Sequence, residues 1–172
     1  DYECGLMTKL PEKFIERMQK QLPQNEWEAF FAVYEKSPYK GVRLNPLRGS
    51  RYALKEKLPF LGDPIPWEKN GFYSMAEKTG ASPYHFAGLF YSQEPSAMCA
   101  APLLDVQPGE RVLDLCSAPG GKGTQLACKM NGEGLIVLNE PMSARAKILS
   151  QNVERMGIKK DVVISEMPEN VS

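Results

Sequence analysis

The densest chemical signal in this 172-residue chain is Asp114-Leu115-Cys116-Ser117-Ala118-Pro119-Gly120-Gly121-Lys122. A short apolar run, a loop of small residues and the start of a helical pattern follow one another there. Glycines at such a turn let the backbone approach a ligand closely, and the N–H groups that open the helix can face it. Glu140 ends a second apolar run twenty residues after Gly120. In Rossmann-type sites an acid at that place accepts hydrogen bonds from ribose hydroxyls. The spacing suits a nucleoside-containing cofactor, against the plainer reading of a glycine-rich turn that binds nothing. Two rival motifs fail letter by letter. A P-loop needs glycine where Cys116 stands and Ser or Thr where Gly123 stands, and no G-x-G-x-x-G fits over Gly120, Gly121 and Gly123.

The surrounding elements fit that reading. Val112 to Leu115 makes an apolar strand, Lys122 to Met130 a helix, and Leu135 to Leu138 a strand suited to burial on both faces. Ser143 to Met156 follows as a helix with Ala146, Leu149, Val153 and Met156 on one stripe, and Gly157 stands where a left-handed cap belongs. Asp161 to Ser165 supplies a third strand. This β-α-β-α-β order implies an α/β fold with a parallel, Rossmann-like sheet, of which the chain holds three strands.

The first half reads differently, as a small α+β unit over 1–85, with the cofactor-binding half over 86–172. Pro11 suits a first helical position, and Phe14, Ile15, Met18 and Leu22 follow at helical spacing. Asn25 with Glu28 reads as a capping box leading into Trp27, Phe30, Phe31 and Tyr34, aromatics that belong to a core. A strand over Val42 to Leu44, a turn at Asn45-Pro46, a helix from Arg51 to Lys57 and a strand over Trp67 to Tyr73 are expected. Pro59 to Pro66, with three prolines and a glycine, reads as loop.

The chain is neutral, with 21 basic and 21 acidic residues, but Lys36 to Lys57 holds seven bases (Lys36, Lys40, Arg43, Arg48, Arg51, Lys55, Lys57) against Glu56 alone. Such a stretch is either a solvated face or a contact for phosphates. Four cysteines without a C-x-x-C pair, and the single histidine His85, argue against a metal site. No apolar run nears 18 residues, so no membrane partner is expected, and the chain reads as cytoplasmic with reduced thiols. Met7, followed by Thr-Lys-Leu-Pro, reads as a natural start.

Cys116-Ser117-Ala118-Pro119-Gly120-Gly121-Lys122 resembles the first methyltransferase motif of the Sun/NSUN family of RNA cytosine-5 methyltransferases. Tyr91-Ser92-Gln93-Glu94-Pro95-Ser96-Ala97-Met98 resembles the segment that precedes it. Arg43-Leu44-Asn45-Pro46 and Asn70-Gly71-Phe72-Tyr73 resemble the N-terminal region of the bacterial ribosomal RNA enzymes of the RsmF type. The likeness runs from Leu10 to Glu169. It implies that Cys116 to Lys122 line an S-adenosyl-L-methionine pocket, that Glu140 holds the ribose, and that the partner is RNA, ribosomal RNA in particular. Lys40, Arg43, Arg48 and Arg51 then become the candidate RNA contacts. Gly123 departs from the Ser or Thr common in the family, a change expected to be minor.

The family's chemistry also sets a limit. Carbon 5 of cytosine becomes nucleophilic once a thiolate adds to carbon 6, and a second cysteine assists release. The resemblance places these cysteines in a Pro-Cys-Ser-Gly-type and a Thr-Cys-type loop, and neither occurs in the 172 residues. Cys116 is therefore not expected to be a nucleophile, and no residue of this chain is assigned a catalytic role. The expectation is the N-terminal portion of an RNA cytosine-5 methyltransferase, inactive alone, with Val112 to Leu115 left as a sheet edge open to self-association. Two rivals remain at this point: a noncatalytic RNA-binding module left by truncation, and a small-molecule methyltransferase with no use for the basic stretch.

Overall fold

A computed structural model describes residues 10–171; Cys4 and the expected start at Met7 lie outside them. The chain divides into two compact units, with the boundary between Pro38 and Tyr39.

In the first unit, α1 (Glu12–Gln21) starts directly after Pro11, and Gln24–Glu26 forms a 3₁₀ turn that leads into α2 (Trp27–Ala32). The expected capping box does not form: α2 is capped by Glu26 without a side-chain bond, because the 3₁₀ turn draws Asn25 into helical geometry. The ring of Phe14 meets that of Tyr34 edge-on at 5.6 Å, and the ring of Phe30 lies 5.6 Å from Tyr34 as well.

The second unit holds two sheets. Strand β1 (Gly41–Leu44) is followed by α3 (Arg51–Lys57), β2 (Leu61–Pro64), β3 (Gly71–Ser74), α4 (Pro83–Phe86) and β4 (Phe90–Ser92). These strands form an antiparallel sheet in the order β2-β3-β1-β4. The Ser50 hydroxyl accepts from the Ala53 N–H and caps α3. The segment expected to be all loop, Pro59 to Pro66, contains β2. An edge strand tolerates Pro64 because a missing N–H costs nothing on the unpaired side, and the β2–β3 register shifts there. Val42, Leu44, Leu54, Leu58, Phe72 and Phe90 bury together on one face of this sheet.

After α5 (Ala100–Leu104) come β5 (Arg111–Asp114), α6 (Gly121–Lys129), β6 (Leu135–Asn139), α7 (Ser143–Met156) and β7 (Asp161–Ile164). The three strands run parallel in the order β5-β6-β7. Ile136, Leu138, Leu126, Leu149, Val153 and Met156 bury between sheet and helices. β6 is not buried on both faces as expected: Ile136 and Leu138 are inside, while Leu135 is exposed and Val137 half-buried. β5 pairs with β6 alone among the described residues, and Leu113 and Leu115 beside its free edge are 51% and 39% exposed. Among the described residues no helix is long and apolar enough to cross a membrane, and no cluster of His, Cys, Asp or Glu could hold a metal ion.

Candidate cofactor site

β5 delivers the chain into the Cys116–Gly120 loop at the end of the parallel sheet. The Cys116 N–H donates to Asp114 Oδ1 at 3.2 Å, the Ser117 N–H to the Asn139 carbonyl at 2.9 Å, and the Gly120 N–H to the Ser117 carbonyl at 2.7 Å. Gly120 then caps α6 with φ of 112°, a conformation closed to most side chains. Asn139, fully buried, donates from Nδ2 to the carbonyls of Leu115 and Glu166 and accepts from the Glu166 N–H, joining the exits of all three strands.

Four consecutive carbonyls of the loop are held by side chains from β1, β4, α6 and α7. Arg145 Nη2 donates to the Ala118 carbonyl at 3.1 Å, and Asn152 Nδ2 to that of Pro119 at 2.8 Å. The Tyr91 hydroxyl also reaches the Pro119 carbonyl, at 3.2 Å. Burial pushes the Tyr91 phenol pKa up, against the lowering pull of Arg155 and Arg43, so the hydroxyl stays protonated as that donor. Thr124 Oγ1 donates to the Gly120 carbonyl at 2.6 Å, and Arg43 Nη2 to that of Gly121 at 3.2 Å.

Beside this loop lies a cavity of about 250 Å³, walled by Cys116, Ser117, Ala118, Pro119, Gly121 and Lys122 on one side. Tyr91 to Glu94 and Ala97 form the other wall. Gly120 and Glu140 do not line it. Glu140, 3% exposed, accepts from the Met142 N–H at 3.0 Å and pairs with Arg145 at 3.2 Å; the same guanidinium holds Ala118, so Arg145 bridges the acid to the loop. The Ser117 hydroxyl and Asp114 Oδ2 are buried without a protein partner. The Ser117 hydroxyl faces α6, where a Cβ at Gly123 would stand 2.5 Å from it, so the cavity does not expose it. The sequence reading placed the loop and missed the opposite wall. Tyr91 and Gln93 drew notice only as part of a family-like segment, although a buried Tyr and Gln beside a glycine loop were the available signal.

Gly123 is not a minor departure here. A Cβ at that position would stand 2.5 Å from Ser117 Oγ and 2.6 Å from Leu138 Cδ2, so α6 lies closer to the loop than a side chain at 123 allows.

Lys40, Arg48 and Arg51 are exposed. Lys40 Nζ donates to the Glu77 carbonyl, Arg48 to that of Arg155, and the Arg51 guanidinium lies 4.7 Å from the Phe72 ring centroid. Arg43 does not belong with them. It is 1% exposed, because it sits on the central strand β1 and its guanidinium is bonded to Gln93, Gly121 and Thr124. A phosphate cannot reach it.

A parallel β-α-β-α-β sheet with a small-residue loop beside a cavity fits a Rossmann-like methyltransferase fold, and the comparisons agree. The family model for the N-terminal domain of 16S rRNA methyltransferase RsmF matches residues 10–95, and that for 16S rRNA methyltransferase RsmB/F matches residues 101–170. The chain belongs to the RsmF family. Ribosomal RNA small subunit methyltransferase F of Vibrio campbellii is 38% identical over 160 residues, covering 87% of this chain and 34% of that protein. The protein of the same name from Shewanella sp. (strain MR-4) is also 38% identical, covering 88% and 33%. The chain thus spans about a third of the length of these relatives. Among solved structures, a methyltransferase homolog from Pyrococcus horikoshii superposes with a TM-score of 0.75 at 26% identity, over 92% of this chain and 57% of that one. NSun6 from the same organism, solved with SFG, gives 0.80 at 15% identity over 91% and 65%, a likeness of fold alone.

Proposed function

We propose that this chain forms the cofactor-binding and RNA-facing portion of an S-adenosyl-L-methionine-dependent methyltransferase acting on cytosine C5 of ribosomal RNA. The observation that carries the reading is the cavity of about 250 Å³ between the Cys116–Pro119, Gly121 and Lys122 wall and the Tyr91–Glu94 wall. Bound S-adenosylmethionine supplies an electrophilic methyl group. Cys116 to Pro119, Gly121 and Lys122 shape the wall against it, and Glu140, which stands outside that wall bonded to Met142 and Arg145, is assigned to the ribose hydroxyls by the family resemblance alone. Lys40, Arg48 and Arg51 offer cationic contacts to RNA phosphates. Residues 1–85 form the RNA-facing part of this reading, and 86–172 the cofactor part.

Methyl transfer needs a thiolate on carbon 6 of the base, and the two cysteine loops of the family are absent from these 172 residues. The chain alone therefore transfers no methyl group. Titration calorimetry with S-adenosylmethionine and with its demethylated product tests the site. Binding is expected, and Glu140→Ala should weaken it by about 1–3 kcal/mol, the cost of removing a buried polar partner. No binding by the unaltered chain would sink the cofactor assignment. Tritium transfer to RNA by this chain, abolished by Cys116→Ala, would overturn both the inactivity and the reading of Cys116.

A further inference from the structure

Arg43 is a fully charged side chain buried to 1% exposure, and among the described residues no carboxylate lies within ion-pair distance of it. A buried cation is costly unless polar groups replace its water. Two hydrogen-bonded arms do so at Nε and Nη2, while Nη1 is buried without a hydrogen-bond partner among the described residues. In the first, Arg43 Nε donates to Gln93 Oε1 at 3.1 Å, Gln93 Nε2 donates to Gln125 Oε1 at 3.1 Å, and Gln125 Nε2 donates to Glu68 Oε2 at 2.5 Å. Each glutamine accepts on its oxygen and donates from its nitrogen, so the chain of dipoles runs one way, from the guanidinium to a carboxylate that is itself 4% exposed.

The second arm enters the cofactor loop. Arg43 Nη2 donates to Thr124 Oγ1 at 2.9 Å and to the Gly121 carbonyl at 3.2 Å. A guanidinium has no acceptor, so Thr124 keeps its single proton for the Gly120 carbonyl at 2.6 Å. Arg43 thereby fixes the rotor of Thr124 and, through it and directly, two successive carbonyls at the start of α6. It lines no part of the cavity beside the loop.

We infer that Arg43 is a positioning residue for the cofactor loop: the Arg43–Thr124–Gly120 arm sets the first turn of α6, and the Gln93–Gln125–Glu68 arm keeps the guanidinium aimed. The role rests on the proposed cofactor reading for its purpose, but not for its geometry. It assigns the basic residue of the Arg43-Leu44-Asn45-Pro46 segment to the cofactor side of the molecule. The Arg43 fork is needed, since an ammonium is a point donor and cannot serve Gln93, Thr124 and Gly121 in their fixed plane.

The test uses the whole chain and two measurements. Hydrogen–deuterium exchange is followed by mass spectrometry in Arg43→Lys, Thr124→Val and Thr124→Ser. Losing one charge-assisted bond should speed exchange over residues 119–124 roughly tenfold in Arg43→Lys and Thr124→Val. Peptides over β6 and β7 should stay at the unaltered rate, and Thr124→Ser, which keeps the hydroxyl, should match the unaltered chain. Loop exchange unchanged in Thr124→Val, or faster by the same factor throughout the chain, would overturn the inference. Titration with S-adenosylmethionine then tests the purpose. Thr124→Val should bind roughly tenfold more weakly and Thr124→Ser equally well; a loosened loop with unchanged affinity would sever Arg43 from cofactor binding. If the unaltered chain binds none, the cofactor reading fails while the exchange pattern still decides what Arg43 positions.

Discussion

Asn45 Nδ2 donates to the Met156 carbonyl at 2.7 Å, tying the exit of β1 to the last turn of α7. The same nitrogen donates to the Gly88 carbonyl at 2.8 Å, and Oδ1 accepts from the Leu47 N–H at 3.0 Å. A carbonyl at a helix C-terminus has no partner within its helix, and this buried amide supplies one. Asn45→Ala should therefore lower unfolding free energy by about 1–3 kcal/mol, from buried groups left unsatisfied. Urea denaturation followed by circular dichroism measures it, and a loss near zero would mean that water replaces the amide.

Gly123 gives a second expectation. Gly123→Ser should destabilise the chain by about 1–3 kcal/mol, the usual range for overpacking a closed contact. Leu138 and Ser117 are what the new Cβ would strike. Pairing it with Ser117→Ala removes one of the two collisions, so thermal denaturation of the double variant should recover part of the loss. Equal stability of Gly123→Ser and the unaltered chain would show that α6 shifts at little cost.

The basic residues make a prediction about salt. If Lys40, Arg48 and Arg51 touch phosphates, log affinity for single-stranded RNA falls with log salt at about −0.7 per contact. Replacing the three with Ala should flatten the slope by about 2. An unchanged slope would return them to a solvated face. Arg43 is left out of this set because its guanidinium is buried.

The free edge of β5 makes a prediction about assembly. Among the described residues its backbone groups have no strand on one side, and Leu113 and Leu115 stand exposed beside them. Such an edge recruits another strand, and a second copy of this chain offers the same one. Sedimentation should show concentration-dependent self-association that Leu113→Lys suppresses. A monomer at every concentration would mean that the edge is protected.

What the residues disclosed before any coordinates depended on how local the cause was. Ser143–Met156 was legible to the residue, since an apolar stripe at helical spacing and Gly157 both act within the helix. The glycine loop was legible because few residue types can make that turn. β2 was hidden by prolines whose harm depends on which strand is the edge, a fact of the finished sheet. Arg43 was counted among the cations of a basic run, because charge counting cannot tell a guanidinium in water from one facing Gln93 and Thr124. Gln93 went unassigned for the same reason: its partners, Arg43 and Gln125, lie 50 and 32 residues away.

The carbonyls of Ala118, Pro119, Gly120 and Gly121 are all bonded to side chains before any ligand arrives. A loop tied in this way has little backbone freedom left to lose on association. Capture of a small molecule at this wall should then proceed in one step. The observed association rate would rise linearly with ligand concentration, without the plateau that a slow loop closure imposes. Discrimination among ligands would appear in how fast they leave.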